Sequence, residues 1–216
     1  MNANPEQNGV LVLATGNQHK REEILALLDD LPITILTLRD FPEAPIIEED
    51  GVTCEENAIK KAQGIATYTG HVTLADDTGL EVVALDGRPG VYAARYAGEE
   101  ATYEDNCQKL LEELANIPAG QRQARFLTVV AIADPGGAVD AVDGVLNGVI
   151  AEKARGAKGF GYDPVFLLSD LDKTLAEITP EYKNRISHRA LALQKAKVLL
   201  TNKWIPQITS GRSAAR

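Results

Sequence analysis

Residues 74–79, Leu-Ala-Asp-Asp-Thr-Gly, set two adjacent carboxylates into a stretch that is apolar on both sides. Val72-Thr73-Leu74-Ala75 leads into Asp76 and Asp77, and Leu80 to Leu85 follows Thr78 and Gly79. The pattern predicts a strand that ends in Asp-Asp at a turn, and a second strand over 80–85. Neighbouring carboxylates repel, so a cation or a shared proton is the usual resolution. A solvated acidic turn is the plain alternative, because aspartate favours turns for its own reasons. The pair alone does not choose between them.

The flanking chain alternates strand and helix. Val10 to Ala14 is a continuous apolar run, as in a strand buried on both faces. Thr15-Gly16-Asn17 then opens a helix over about 18–28, whose apolar face is Ile24, Leu25, Leu27 and Leu28. A glycine turn between strand and helix aims backbone N–H groups at whatever fills the turn. It is neither a P-loop nor Gly-x-Gly-x-x-Gly, so by itself it is a weak signal. Ile33 to Leu36 reads as a second strand, and an acidic loop closes on Glu48-Glu49-Asp50-Gly51. Thr53 and Glu56 match a capping box for a helix to about Tyr68, with Lys60 and Lys61 near its start. Thr102 and Asp105 cap another helix. Ala124–Ala133 and Ala138–Ile150 form a hairpin around Pro135-Gly136-Gly137. The whole reads as α/β with a mixed sheet flanked by helices. Residues 1–9 read as a disordered tail, 10–204 as one domain and 205–216 as a polar tail.

A second dense stretch runs from Gly156 to Pro164. Its glycines let backbone approach a flat ligand, while Phe160 and Tyr162 offer rings to stack on one. Thr179-Pro180 starts a helical turn carrying Lys183, and Ser187 is placed to cap a final helix that begins with His188 and Arg189. His19 and His71 read as surface residues, and Asp140 and Asp143 as lining a solvated face or a bulge.

Charge and cysteine usage narrow the partners. Lys and Arg total 22 against 31 Asp and Glu, a formal net charge of -9. So acidic a chain is a poor ligand for nucleic acid polymers, whose affinity comes from neutralising phosphates. A small anion held by a few local lysines is not excluded. Two cysteines without metal-ligand spacing, and no apolar run near the ~18 residues a membrane span needs, predict a soluble, cytoplasmic protein with reduced thiols.

Three groups of residues then suggest one ligand class. Thr15 to Lys20 suits phosphates. Glu48, Glu49, Asp76 and Asp77 suit a hard divalent cation such as Mg²⁺, which takes one or two carboxylates and fills other positions with substrate phosphates. Phe160 to Asp163 with Lys183, His188 and Arg189 suits a heterocyclic base. Together they describe a nucleoside triphosphate site without a Walker motif.

Six blocks carry a resemblance. They are Thr15-Gly16-Asn17-Gln18-His19-Lys20, Glu56 to Ala62, Ala75 to Leu80, Pro89 to Tyr96, Gly159 to Pro164, and Ser187-His188-Arg189. In this order the chain resembles the inosine triphosphate pyrophosphatases, which hydrolyse dITP, ITP and XTP to the monophosphate and pyrophosphate. Thr78 stands where bacterial members often carry serine, and Cys54 where phenylalanine is common.

The resemblance implies an elongated two-lobed fold with the active cleft between lobes, a homodimer, and Mg²⁺ dependence. It makes Asp77 the general base and a metal-site residue, and Glu48 a metal ligand with Glu49 or Asp76 nearby. Thr15, Gly16, Asn17, Gln18, His19, Lys20 and Lys61 would grip the triphosphate. Thr78 belongs to the substrate site, and Phe160, Gly161, Tyr162, Asp163, Lys183, His188 and Arg189 would hold the base.

His188 and Arg189 can donate to a 6-oxo group, where adenine carries an amino donor. Guanine shares the 6-oxo group, and the sequence names no residue that reads the 2-position. Two rivals remain, a pyrophosphatase with another modified-base preference and a non-catalytic nucleotide-binding regulator. An aspartic protease is set aside. Asp77-Thr78-Gly79 occurs once, in an alternating chain, where that chemistry needs two such aspartates.

Overall fold

The computed structural model describes residues 9–210. Among these, strands β1 (Val10–Leu13), β2 (Thr34–Thr37), β3 (Val72–Val82), β4 (Pro89–Gly90), β5 (Gln123–Ala133), β6 (Val139–Ile150), β7 (Phe166–Leu168) and β8 (Lys173–Thr174) form one mixed sheet. Their hydrogen-bonded order is β2-β1-β3-β5-β6-β7-β8, with β4 pairing β3. β1 is parallel to β2 and β3, while β4 is antiparallel to β3 and β7 to both β6 and β8. The helices are α1 (Gln18–Leu28), α2 (Cys54–Thr69), α3 (Tyr103–Glu113), α4 (Pro180–Ile186), α5 (His188–Leu199) and α6 (Ile205–Thr209). The α/β class with a mixed sheet is as the alternation predicted. No helix of the described residues is long and apolar enough to cross a membrane.

The chain divides into two compact units, each with its own core. The first comprises the described residues up to Asp77, Val129–Asp143, and those from Ala192 onward. Its core joins Leu11 and Leu13 of β1, Ile24 and Leu28 of α1, Leu74 of β3, and Leu193, Leu200 and Trp204 near the C-terminus. The second comprises Thr78–Thr128 and Gly144–Leu191. Leu80, Val82, Leu110, Phe126, Tyr162 and Phe166 centre its core.

Four local expectations change. β3 does not end at the aspartates but runs unbroken through Asp76, Asp77, Thr78 and Gly79. Its two ends are tied, Leu11 to Val72 and Leu13 to Leu74 in β1, Leu80 to Gly90 in β4, so the pair is carried inside a ladder. The predicted second strand is therefore the last part of β3, which stops at Val82, and a 3-10 turn at Val83–Leu85 replaces its predicted end.

The boundary at 204 falls inside a helical run. α5 passes through a π-turn at Leu200–Trp204 into α6, with Trp204 and Ile205 buried. Gly9 is buried and its carbonyl accepts the Thr34 N–H at 2.9 Å, so the folded domain starts one residue earlier than predicted. The rest of the predicted tails, 1–8 and 211–216, lies outside the described residues.

The helix starts are where the side chains put them. Thr102 and Asp105 make a reciprocal capping box on α3. Thr53 Oγ accepts the Glu56 N–H at 3.1 Å, but the Glu56 carboxylate accepts from Val52 N–H instead of closing the box. Ser187 Oγ accepts from Ala190 N–H at the start of α5, and Thr179 caps α4 with Pro180 first in the helix.

Candidate functional site

Continuity of β3 explains how two adjacent carboxylates can be buried together. Successive strand residues point to opposite faces, so Asp76 and Asp77 are presented to different helices. Asp76 Oδ2 pairs with Lys20 Nζ of α1 at 3.2 Å. Asp77 Oδ2 accepts from Asn57 Nδ2 of α2 at 3.2 Å, and its Oδ1 lies 3.5 Å from Lys61 Nζ. Both aspartates are buried, at 1% and 5% exposure, which isolated carboxylates could not sustain. The solvated-turn reading fails for that reason.

Lys61 joins the strand to the acidic loop. Its ammonium donates to the Asp76 carbonyl at 2.7 Å and pairs with Glu49 Oε1 at 3.1 Å as well as with Asp77. Burial works to lower its pKa, but the fields of Asp77, Asp76 and Glu49 outweigh that and hold it above the ordinary lysine value. It sits in the middle of α2, not near its start, so the helix dipole does not account for it. Lys60 faces the other way, to Asp50 at 2.5 Å.

Asn57 was not among the residues singled out from sequence. Its Oδ1 accepts the Gly51 N–H at 2.8 Å, which fixes the amide so that Nδ2 donates to Asp77. The side chain therefore ties the acidic loop to the carboxylate. A Cβ at Gly51 would lie 2.7 Å from that same Oδ1, so the loop passes where only glycine fits.

The strand-to-helix turn also forms as predicted. Asn17 caps α1, its Oδ1 accepting from Lys20 N–H at 3.1 Å, and its own N–H reaches Thr15 Oγ at 3.3 Å. Gly16 faces open space, with nothing within 4 Å of where a Cβ would stand. Gln18 is exposed and engaged locally with Glu22 at 2.8 Å, and His19 is exposed. Glu48 is exposed on the acidic loop. Among the described residues no three Asp, Glu, His or Cys side chains converge as a ready metal cage.

The base-directed residues gather in the second unit. Asp163 Oδ2 accepts from Phe160 N–H at 2.9 Å and from Lys183 Nζ at 2.5 Å, closing the glycine loop and anchoring the lysine. Gly159 and Gly161 have φ of +73° and +61°, conformations that favour glycine. Lys183 Nζ lies 4.7 Å, and the Arg189 guanidinium 5.6 Å, from the Phe160 ring centroid. His188 stacks on Phe126, with centroids 4.4 Å apart.

Only one of the two loop aromatics is placed to stack on a ligand. Phe160 is partly exposed, whereas the Tyr162 ring is packed in the core and its hydroxyl donates to the Ala93 carbonyl at 2.8 Å. Thr128 is a further residue the sequence did not flag. It is fully buried, with its hydroxyl between Thr78 and His188. A threonine in a strand carries no distinguishing signal, whereas an asparagine in the first turns of a helix, a position it disfavours, is a signal that could have found position 57.

Comparisons with known proteins point to one family. Residues 11–199 match the model of the Ham1 family. The chain is similar to the dITP/XTP pyrophosphatase of Geobacter sulfurreducens, 52% identical over 187 residues, covering 87% of this chain and 94% of that protein. It is 49% identical to the dITP/XTP pyrophosphatase of Elusimicrobium minutum, covering 86% and 96% respectively. Among solved structures it superposes on a Ham1 protein from Coxiella burnetii with a TM-score of 0.82 at 43% identity, covering 89% of this chain and 98% of the other. The Staphylococcus aureus Ham1 protein gives 0.81 at 38% identity, covering 90% and 99%.

Proposed function

The chain belongs to the Ham1 family, and on that footing we propose that it hydrolyses deaminated purine nucleoside triphosphates (dITP, ITP and XTP) to the monophosphate and pyrophosphate. The enzyme class, a nucleotide pyrophosphatase, is that of its relatives, which are named dITP/XTP pyrophosphatases. The observation that carries the mechanism is the asymmetry of the aspartate pair. Asp76 is engaged by Lys20, while Asp77 is held by the neutral donor Asn57 on one oxygen and by a longer contact to Lys61 on the other.

Asp77 is then the general base. Its carboxylate takes a proton from a water whose oxygen attacks the α-phosphorus, and the α–β anhydride bond breaks with pyrophosphate as leaving group. The proton resides on Asp77 until it is lost to solvent. Lys20 and Lys61 place two positive charges beside the carboxylates, where they offset the charge of the triphosphate. Thr15 to Asn17 contribute the turn, with N–H groups at the start of α1.

Mg²⁺ fits this group of residues. Glu49 and Asp77 present two carboxylates against the one ammonium of Lys61, so one negative charge remains, and the donors are all oxygen. Glu48 and Asp77 would hold the ion, with Glu49 adjacent. Two carboxylates suffice for a cation that completes its shell with phosphate oxygens and water, so the absence of a three-residue cage among the described residues is consistent with it. When bound, such an ion neutralises charge on the departing pyrophosphate and lowers the pKa of a coordinated water.

Base choice is assigned to the second unit. Phe160 supplies the stacking face, Lys183 and Asp163 fix the loop, and His188 and Arg189 donate to the 6-oxo group of hypoxanthine or xanthine. Adenine would leave those donors unpaired. We further propose a homodimer, which sedimentation of the purified protein would show or refute. The activity test is a panel of ITP, XTP, ATP and GTP with Mg²⁺. Efficiency on ITP and XTP should exceed that on ATP by a factor approaching ~10⁴. Equal turnover of ITP and ATP would remove the base-reading assignment.

A further inference from the structure

The base-directed residues are linked by a chain of hydroxyls whose hydrogen-bond directions can be worked out. Arg189 Nη2 lies 3.2 Å from Thr78 Oγ, Thr78 Oγ lies 2.7 Å from Thr128 Oγ, and Thr128 Oγ lies 2.6 Å from His188 Nδ1. A guanidinium has donors only and keeps its proton, so Thr78 Oγ accepts from Arg189. Among the described residues Thr128 is the only other partner of the Thr78 hydroxyl. Thr78 therefore donates to Thr128, and Thr128 donates to His188 Nδ1. Reversed, the Thr78 proton would have no protein acceptor among the described residues, a penalty that the forward direction avoids.

We propose that Thr128 is a positioning residue that fixes His188 as the Nε2–H tautomer, so that the imidazole presents a donor and not an acceptor to the purine base. This deepens the assignment of His188 as a base reader and rests on it. With Nδ1 accepting from Thr128, the ring proton must be on Nε2. That edge pairs with a 6-oxo group. The opposite tautomer would present a lone pair at Nε2, which suits the 6-amino group of adenine. Ring rotation does not offer an escape, because the imidazole lies against Phe126 at an interplanar angle of 26° and a flip would break the Thr128 bond. Selectivity against adenine thus depends on a buried hydroxyl that never touches the base.

The test uses the full-length protein labelled with nitrogen-15 at histidine, at about pH 8, above the ordinary imidazole pKa. Three histidines are present, and comparison with His188→Gln assigns the signal of interest. The wild type and Thr128→Ser should show a protonated Nε2 and a bare Nδ1. Thr128→Val should lose that preference, and its ratio of kcat/KM on ITP to that on ATP should fall about tenfold or more, since a buried hydrogen bond is worth that much. A selective wild type with a protonated Nδ1 overturns the proposal whether or not the valine variant folds. So does a folded Thr128→Val that keeps the wild-type ratio. If the wild type turns over ITP and ATP alike, the base-reading role itself falls and takes the proposal with it. That outcome is distinguishable, because it is read from activity before any variant is made.

Discussion

At the scale of single residues, strand geometry divides the aspartate pair into a carboxylate that holds Lys20 and one, the proposed base, that meets Asn57 and Lys61. Asp77→Asn keeps the shape and the Asn57 contact distance but removes the proton acceptor. Turnover should drop by at least ~10²-fold, the contribution typical of general bases, while the thermal midpoint stays near or above that of the wild type, since a buried charge is removed. Activity within a few-fold of wild type would exclude Asp77 as the base. Asp76→Asn should behave differently, leaving Lys20 without its ion pair and raising KM more than it lowers kcat. The dipeptide itself was plain in the sequence, but its partition was not. Only the alternation of a strand that continues through both residues sends one side chain to α1 and the other to α2. The roles of Asn57 and Thr128 were missed for a related reason, since each acts through a partner distant in the chain, Asp77 twenty residues on and His188 sixty.

At the scale of elements, the glycine loop before β7 shows how tightly sequence can determine a local shape. A Cβ on Gly159 would lie 2.0 Å from Asp163 Oδ2, at a φ that already disfavours L residues. Gly159→Ala should therefore destabilise by about 1–2 kcal/mol from backbone strain alone and displace Asp163 from Lys183. Chemical denaturation gives the first effect, and a rise in KM for ITP gives the second. A variant as stable and as tight as wild type would mean that the loop is not held by this contact. The helix starts at Thr53, Thr102, Thr179 and Ser187 were readable because capping is a local exchange between a hydroxyl and an N–H three residues on. The course of β3 was not, because aspartate and glycine favour turns locally and pairing with β1 and β4 overrides that preference. Tyr162 was misread as a stacking ring for the same kind of reason. Sequence shows an aromatic beside glycines, and only packing shows which ring the core takes.

At the scale of the whole molecule, each unit carries its own core, and the proposed roles divide the same way, phosphate and metal binding in the first and base reading in the second. Cys54 and Cys107 are both buried. Burial, with the charges of Asp163 and Glu104, pushes the Cys107 thiol up to about 12 from 9.0. Its proton is thus held more tightly folded than unfolded. The resulting stability is complete below the unfolded thiol's pKa and is lost as pH rises from about 9 towards 12. Tyr96, also raised to about 12, by burial and by Glu113, adds to the same window from 10.0 upward. Thermal midpoints should fall through this range, and Cys107→Ala should flatten the fall; an unchanged slope would show that the thiol does not contribute.

The central claim is that water attacks the α-phosphorus of a deaminated purine triphosphate. Hydrolysis of ITP with Mg²⁺ in oxygen-18 water, followed by mass spectrometry of all products, tests it directly. The account predicts labelled inosine monophosphate and unlabelled, intact pyrophosphate. Inosine diphosphate with labelled orthophosphate, or monophosphate with the label in pyrophosphate, would contradict it.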